Sequence, residues 1–308
     1  MTDQGVGGRL VPDRSLALNL LVSLRPEQWV KNLFVFAGLL FGRQLTDLHA
    51  VGLVSAAFVV FCALSGVVYL INDVADRASD ARHPIKARRP IASGALPVRT
   101  ALAAAAGLGA GALAVAWWLD ALFGAIATGY VLLLALYSGP LKHIVIIDAL
   151  TIAIGFVLRV AAGAAVIGVP MSHWLLVCTI LLALFLAFSK RRHELVLLAD
   201  GARGHRRILQ EYSPYLLDQM IGVVTASTLM AYVFYATSAE TAEKFGTPLL
   251  SLTIPFPLYG IFRYLYLVHQ KEGGGSPSEM LLTDRPLLLC VALWAAAVAV
   301  IIYRPLGV

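Results

Sequence analysis

Residues 51–71 run for 21 positions without a charge, and a helix needs about 20 apolar residues to cross the hydrocarbon core of a bilayer. The pattern recurs at 100–119, 121–141, 173–189, 219–239, 245–262 and 286–303. Residues 144–172 repeat it with only Asp148 and Arg159 as interruptions, and 28–45 repeat it with Lys31 near the start. Nine spans are therefore expected. None of these runs alternates apolar and polar residues, so the spans are expected to be helices rather than barrel strands. The chain is 59% hydrophobic and 14% charged, against about 45–50% and about 25% in soluble domains. That surplus excludes a cytosolic enzyme, a secreted disulfide module and a disordered tail. Cys62, Cys178 and Cys290 each sit inside an apolar run and read as small buried hydrophobes.

The expected fold class is thus an all-α integral membrane protein, a single transmembrane domain over residues 1–308. Residues 1–14 read as a flexible tail. Residues 15–24 are too short to span, and no small-residue cleavage site follows, so they read as an interfacial helix rather than a signal peptide. The net charge of +6 is read first as topology and not as a nucleic-acid surface. Twenty of the 24 basic residues fall in the N-terminal segment and in alternate loops, those after spans 2, 4, 6 and 8. By the positive-inside bias those segments and the N-terminus are cytoplasmic, in the plasma (inner) membrane, and the chain crosses it several times.

Two of the cytoplasmic segments concentrate unusual chemistry. Span 2 ends in Asn72-Asp73-Val74-Ala75-Asp76-Arg77-Ala78-Ser79-Asp80. At about 100° per residue, Asn72, Asp73, Asp76 and Asp80 share one arc of a continuing helix. Stacked like charges destabilise a bare helix, and a hard cation offsets the repulsion. Mg²⁺ prefers such carboxylate and amide oxygens and is usually shared with substrate phosphates. Lys86, Arg88 and Arg89 follow in the same loop, and cations beside an acidic metal stripe suit a polyphosphate. The second segment, Lys190-Arg191-Arg192-His193-Glu194, follows span 6 and holds more cation than one glutamate satisfies, which reads as anion recognition. Arg159 lies at mid-span, where an ion is costly and usually functional. It is expected to face a polar cavity. Tyr137 and Lys142 flank the break at Ser138-Gly139-Pro140, and Lys31 enters span 1 from the same side.

The Asn-Asp-x-x-Asp-x-x-x-Asp run, from Asn72 to Asp80, resembles the first Asp-rich motif of the UbiA-type intramembrane prenyltransferase superfamily. The resemblance covers nearly the whole chain from about Leu16. It implies nine transmembrane helices around a central cavity with a cytoplasmic polar cap, and a Mg²⁺-bound diphosphate under that cap. On this reading Asn72, Asp73, Asp76 and Asp80 hold the metal. Asp73, Asp76 and Asp80 are the catalytic set. Lys31, Tyr69, Asn72, Lys86, Arg88, Arg89, Tyr137, Lys142, Arg159, Lys190, Arg191 and Arg192 bind substrate.

A second Asp-x-x-x-Asp motif is typical of prenyltransferases after span 6, and this sequence is basic there. That departure, together with Arg25-Pro26-Glu27-Gln28-Trp29-Val30-Lys31-Asn32, resembles the branch in which a polyprenyl (decaprenyl) phosphate accepts phosphoribose. Phosphoribosyl diphosphate is then the donor, and the product feeds cell-wall arabinan synthesis. The alternative is an aromatic prenyltransferase using a prenyl diphosphate donor. A transporter would place charges at several mid-membrane positions, whereas only Arg159 is clearly deep. A homo-oligomer is compatible with everything above.

Overall fold

The computed structural model describes residues 15–83, 86–199, 211–271 and 277–303. The expectations for residues 1–14 and the charges Arg203, Arg206 and Arg207 lie outside the described residues. Among those residues every regular element is a helix. In chain order the α-helices are α1 Leu16–Ser23, α2 Ala37–Phe41, α3 Leu48–Ala75, α4 Arg77–Asp80, α5 Val98–Leu119, α6 Ala121–Ser138 and α7 Ile147–Ala165. They continue with α8 His173–Ala199, α9 Pro214–Thr237, α10 Ala239–Phe245, α11 Pro255–Gln270, α12 Pro277–Thr283 and α13 Arg285–Tyr303.

Seven of these are long and apolar enough to cross a membrane, with an eighth if α10 and the residues from Leu249 to Gln270 count as one span bent by 103°. Two expected spans are not single helices. The stretch expected at 28–45 is an eleven-residue 3-10 helix, Pro26–Phe36, followed by the five residues of α2. The stretch expected at 245–262 is broken where Gly246 takes a left-handed φ of 69° and Pro248, Pro255 and Pro257 follow. Gly ends a helix there without a Cβ penalty, and each proline removes a backbone donor.

The chain resolves into two compact units, one comprising residues 1–26 and 62–112, the other residues 27–61 and 113–308. Two of their boundaries fall within α3 and α5, and the third falls at the start of the 3-10 helix Pro26–Phe36. In the first unit, Val67 and Leu70 of α3 pack with Ala101 and Ala105 of α5, with Ile91 and Leu96 of the connection, and with Leu20 and Leu24 beside them. These positions follow the helical repeat, so one stripe of each helix faces this core. The exposed apolar residues Leu16, Leu18, Leu21 and Val22 lie on the remainder of α1. The glycines at 107, 109 and 111 do not mediate close helix packing. A Cβ on Gly107 or Gly111 would meet nothing within 4 Å, and one on Gly109 would make ordinary contact with Val67 at 3.6 Å.

In the second unit α7 is packed against α6, α8 and α2, and α8 pairs with α9. Ser213 caps α9 through the Leu216 amide (3.1 Å), and Asp120 caps α6 through the Phe123 amide (2.7 Å). Each cap satisfies one of the donors a helix start leaves open. Phe185, Phe188, Leu217, Ile221, Ile261 and Tyr264 fill the space between α8, α9 and α11. A close backbone approach joins α7 to the 3-10 helix, where a Cβ on Gly163 would land on the Val35 carbonyl. Rigid backbone on both sides leaves no room to yield. Gly163→Ala is therefore expected to lower stability by about 1–3 kcal/mol, and Gly107→Ala to be near neutral. Thermal unfolding of the two variants in detergent checks the contrast.

Candidate functional site

The first unit presents the acidic cluster. α3 carries Asn72 and Asp73 on its last turn and stops at Ala75, and Asp80 ends the short α4. The four oxygen-bearing residues thus do not lie along one unbroken helix. Asp76 is the single residue between α3 and α4, and Asp73 and Asp80 on either side of it share a cation: Arg89 Nη1 lies 3.1 Å from Asp73 Oδ1 and 2.6 Å from Asp80 Oδ2. Arg25 Nη2 completes the group at 2.6 Å from Asp73 Oδ1. The Arg25 backbone adopts a left-handed φ of 54°, unusual for a bulky residue, and its guanidinium stacks 4.7 Å above the Tyr69 ring. Asp73 and Asp80 are only 4% and 3% exposed. Two buried carboxylates and two guanidinium groups form a neutral set, which is how buried charge is tolerated.

Asn72 and the exposed Asp76 stand outside this set, with no side-chain partner among the described residues. Among the described residues no three acidic, His or Cys groups gather as a preformed metal cage. A cage is not what Mg²⁺ needs, since it is usually held by one or two carboxylates and keeps water or substrate phosphate for the rest. Asp76 with the Asn72 amide, four residues apart, fits that donor set, with Asp73 and Asp80 beside it. Lys86 and Arg88 are exposed.

The second unit holds two cationic centres. Arg159 on α7 is buried. Its Nε donates to Asn32 Oδ1 (2.8 Å), its Nη1 to the Gly155 carbonyl (2.9 Å) and its Nη2 to the Tyr130 hydroxyl. The guanidinium also lies 4.7 Å from the Tyr130 ring centroid, a cation–π contact. Asn32 reaches it because the 3-10 helix repeats every three residues, setting Asn32 and Val35 on one buried face. Lys31 turns to Gln28 Oε1 at 2.7 Å.

The other centre is Arg191. α8 continues to Ala199, so Lys190-Arg191-Arg192-His193-Glu194 is helix and not loop. Arg191 is 1% exposed, and its Nε donates to Asp148 Oδ2 (2.7 Å) at the start of α7. Its other two nitrogens donate to Glu194 and to the Tyr137 hydroxyl (3.0 Å). Tyr212 donates to Asp148 Oδ1 (3.0 Å) and accepts from the Ile146 amide (2.7 Å). Ile146 has a φ of 68°, a strained value for a β-branched residue, and this bond holds it. On the flanks, Lys190 lies 3.8 Å from Glu194, and Arg192 pairs with Asp218. Lys142 is half-buried in the α6–α7 connection.

Arg25, Asn32, Tyr130, Asp148 and Tyr212 were absent from the site expected from sequence. Asp148 and Asn32 are polar residues within apolar runs, which is a usable signal. Tyr212 carries none, being one tyrosine in a polar connection.

Burial, with the Asp148 carboxylate beside it, pushes the Tyr212 hydroxyl up to about 12. Its unfolded pKa is about 10. The raised folded value means that its contribution to stability is complete below pH 10 and lost as pH rises toward 12. The stability difference between wild type and Tyr212→Phe is expected to be about 1–3 kcal/mol and to shrink above pH 10 in denaturation titrations. Arg191→Ala leaves Asp148 buried without its cation and is expected to cost about 3–5 kcal/mol. Arg191→Lys is expected to recover only part of this, since an ammonium cannot serve three separated acceptors as a guanidinium does. Folded yield and unfolding temperature measure both.

The sequence profile of the UbiA prenyltransferase family matches residues 32–282. The decaprenyl-phosphate phosphoribosyltransferase of Mycolicibacterium smegmatis is 32% identical over 305 residues, covering 95% of both chains. The enzyme of the same name from Corynebacterium glutamicum is 31% identical, covering 95% of this chain and 89% of that one. In structure, the UbiA homologue from Archaeoglobus fulgidus bound to GPP and Mg²⁺ superposes with a TM-score of 0.69 at 20% identity, over 94% of this chain and 100% of that one. All-α architecture, multiple apolar spans and a match over most of the length agree: this chain belongs to the UbiA prenyltransferase family.

Proposed function

We propose that the protein transfers 5-phosphoribose from phosphoribosyl diphosphate to a polyprenyl phosphate, releasing diphosphate, at the cytoplasmic side of the plasma membrane. The observation that carries this reading is the basic end of α8, Lys190-Arg191-Arg192, where a prenyl-diphosphate enzyme is expected to be acidic. Relatives alike over 95% of the chain bear the name decaprenyl-phosphate phosphoribosyltransferase. The segment 26–41 and the bent pair complete nine crossings with the N-terminus in the cytoplasm, consistent with the distribution of Lys and Arg.

Asn72 and Asp76, with Asp73 and Asp80 beside them, would hold Mg²⁺. When bound, the metal supplies Lewis-acid stabilisation of the departing charge. Arg25 and Arg89 fix the positions of Asp73 and Asp80. Lys86 and Arg88 take diphosphate oxygens as point and forked donors. Arg191 acts as a positioning residue held among Asp148, Glu194 and Tyr137, while Lys190, Arg192, Lys142, Lys31 and Arg159 attract the ribose 5-phosphate and the acceptor phosphate. Tyr69 and Tyr137 orient Arg25 and Arg191. The acceptor oxygen forms a bond to ribose C1 as the C1–diphosphate bond breaks on the opposite face, which inverts the anomer. An ionised phosphate carries no proton to remove, so the step needs no general base. Holding both anions aligned converts an encounter into a unimolecular step.

The test incubates purified protein and Mg²⁺ with labelled phosphoribosyl diphosphate and a polyprenyl phosphate, and follows label into the organic phase. Transfer is expected. Asp76→Asn should reduce it about 10²–10³-fold, and a chelator should abolish it. Prenylation of an aromatic acid from a prenyl diphosphate, without phosphoribosyl transfer, would overturn the assignment.

A further inference from the structure

Away from these centres, α11 and α13 border a groove of about 560 Å³ on the larger unit. The two helices meet along its floor, where the buried Cys290 thiol donates to the Phe256 carbonyl at 3.2 Å. Pro255, Phe256 and Tyr259 line the groove from α11. Arg285, Leu289 and Leu293 line it from α13, at four-residue steps that keep them on one face of the helix.

Depth gives this groove a polarity. α13 is long and apolar enough to cross a bilayer, and it begins at Arg285. Arg285 therefore stands where the span enters the membrane, at headgroup level. At 1.5 Å per residue, Leu293 lies about 12 Å further along the axis, within the hydrocarbon. The second observation is charge. Among the described residues that line the groove, Arg285 alone is charged. It is exposed, and among the described residues its guanidinium has no ion pair and no hydrogen bond. The Tyr259 hydroxyl, on a side chain 50% exposed, likewise has no hydrogen bond among them. The acid next to Arg285 does not serve it. Asp284 accepts from Arg263 at 2.8 and 3.2 Å and from the Leu287 amide at 2.9 Å.

We propose that this groove binds a bilayer phospholipid of net negative charge, with its phosphate on Arg285 and Tyr259 and an acyl chain lying between α11 and α13. A bilayer lipid carries an anion at headgroup depth and a hydrocarbon chain below it, which is the order of groups along the groove. A guanidinium gives a phosphate two parallel hydrogen bonds, and a phenol adds another. The same charges select among lipids. A zwitterionic headgroup brings an ammonium that needs a carboxylate, and Asp284 is already held by Arg263. An anionic headgroup makes no such demand. This site is separate from the acidic cluster and from Arg159 and Arg191, and it does not depend on the reaction proposed above.

The test titrates the full chain, delipidated in detergent, with dioleoyl phosphatidylglycerol and follows the lipid adducts by native mass spectrometry. The tightest adduct is expected to form about tenfold more tightly than with dioleoyl phosphatidylcholine. Arg285→Gln should remove that tenfold preference, and Arg285→Lys should keep part of it. Leu289→Trp, at a side chain 58% exposed, should fill the groove and weaken the adduct to a similar extent. Arg99→Gln, at an exposed arginine in the first turn of α5, should leave it unchanged. All four variants change exposed side chains and are expected to unfold at the wild-type temperature without lipid. Equal affinity for the two lipids, an effect of Arg99→Gln as large as that of Arg285→Gln, or no effect of Leu289→Trp would each overturn the proposal. So would displacement of the adduct by inorganic phosphate, which would mark a site for a free anion, or by an equimolar polyprenyl phosphate.

Discussion

Burying a guanidinium group in an apolar bundle governs the arrangement of the larger unit. Removing an ion from water costs several kcal/mol even after relaxation, so every nitrogen must find an acceptor as the helices pack. Arg191 meets that demand with Asp148 from α7, Glu194 from its own helix and Tyr137 from the end of α6. One side chain thereby ties the end of α6 and the start of α7 to α8, and Tyr212 extends the network to the segment before α9. Hydrophobic contact alone has little power to choose between helix registers in lipid, where every surface is apolar. A buried network that only one register satisfies supplies that choice.

The smaller unit solves the same problem with opposite emphasis. Its buried groups are carboxylates, Asp73 and Asp80, and the cations Arg25 and Arg89 come to them. Arg191 is balanced by Asp148 and Glu194, whereas Arg159, also buried, is held by neutral acceptors. The groups left over are Asn72, Asp76, Lys86, Arg88 and Lys142, which are exposed or half-buried. The division has a chemical sense. On the proposed function, Asp73 and Asp80 keep their geometry within this frame, while Asn72, Asp76, Lys86, Arg88 and Lys142, with no side-chain partner among the described residues, are open to the incoming polyanion. Preorganisation of this kind avoids reorganisation during the reaction.

Helix irregularities place several of these residues. The 3-10 geometry of Pro26–Phe36 brings Asn32 to Arg159. The turn at Asp76 separates α3 from α4, and Arg89 serves Asp73 and Asp80 from either side of it. The strained Ile146 turns the chain into α7 so that Asp148 begins that helix. Such departures cost free energy, and each here coincides with a polar side chain that has a defined partner.

Much of the architecture was legible in the chain itself. Uncharged runs near the thickness of a bilayer identify helices whatever they later touch, because length and hydropathy are local properties. Six such runs, with residues 144–172, correspond to the seven single spanning helices. The spacing from Asn72 to Asp80 and the basic cluster at 190–192, which carry the proposed chemistry, are likewise local patterns. Local pattern could not show where a run breaks. The 3-10 helix within 28–45 and the bend after Gly246 depend on which neighbours satisfy a freed backbone. Nor could it show which charges pair. Arg25 with Asp73, Arg159 with Asn32 and Arg191 with Asp148 are separated by 48, 127 and 43 residues. Partnership at that range is decided by the energy of desolvation, and that energy exists only once the helices have packed.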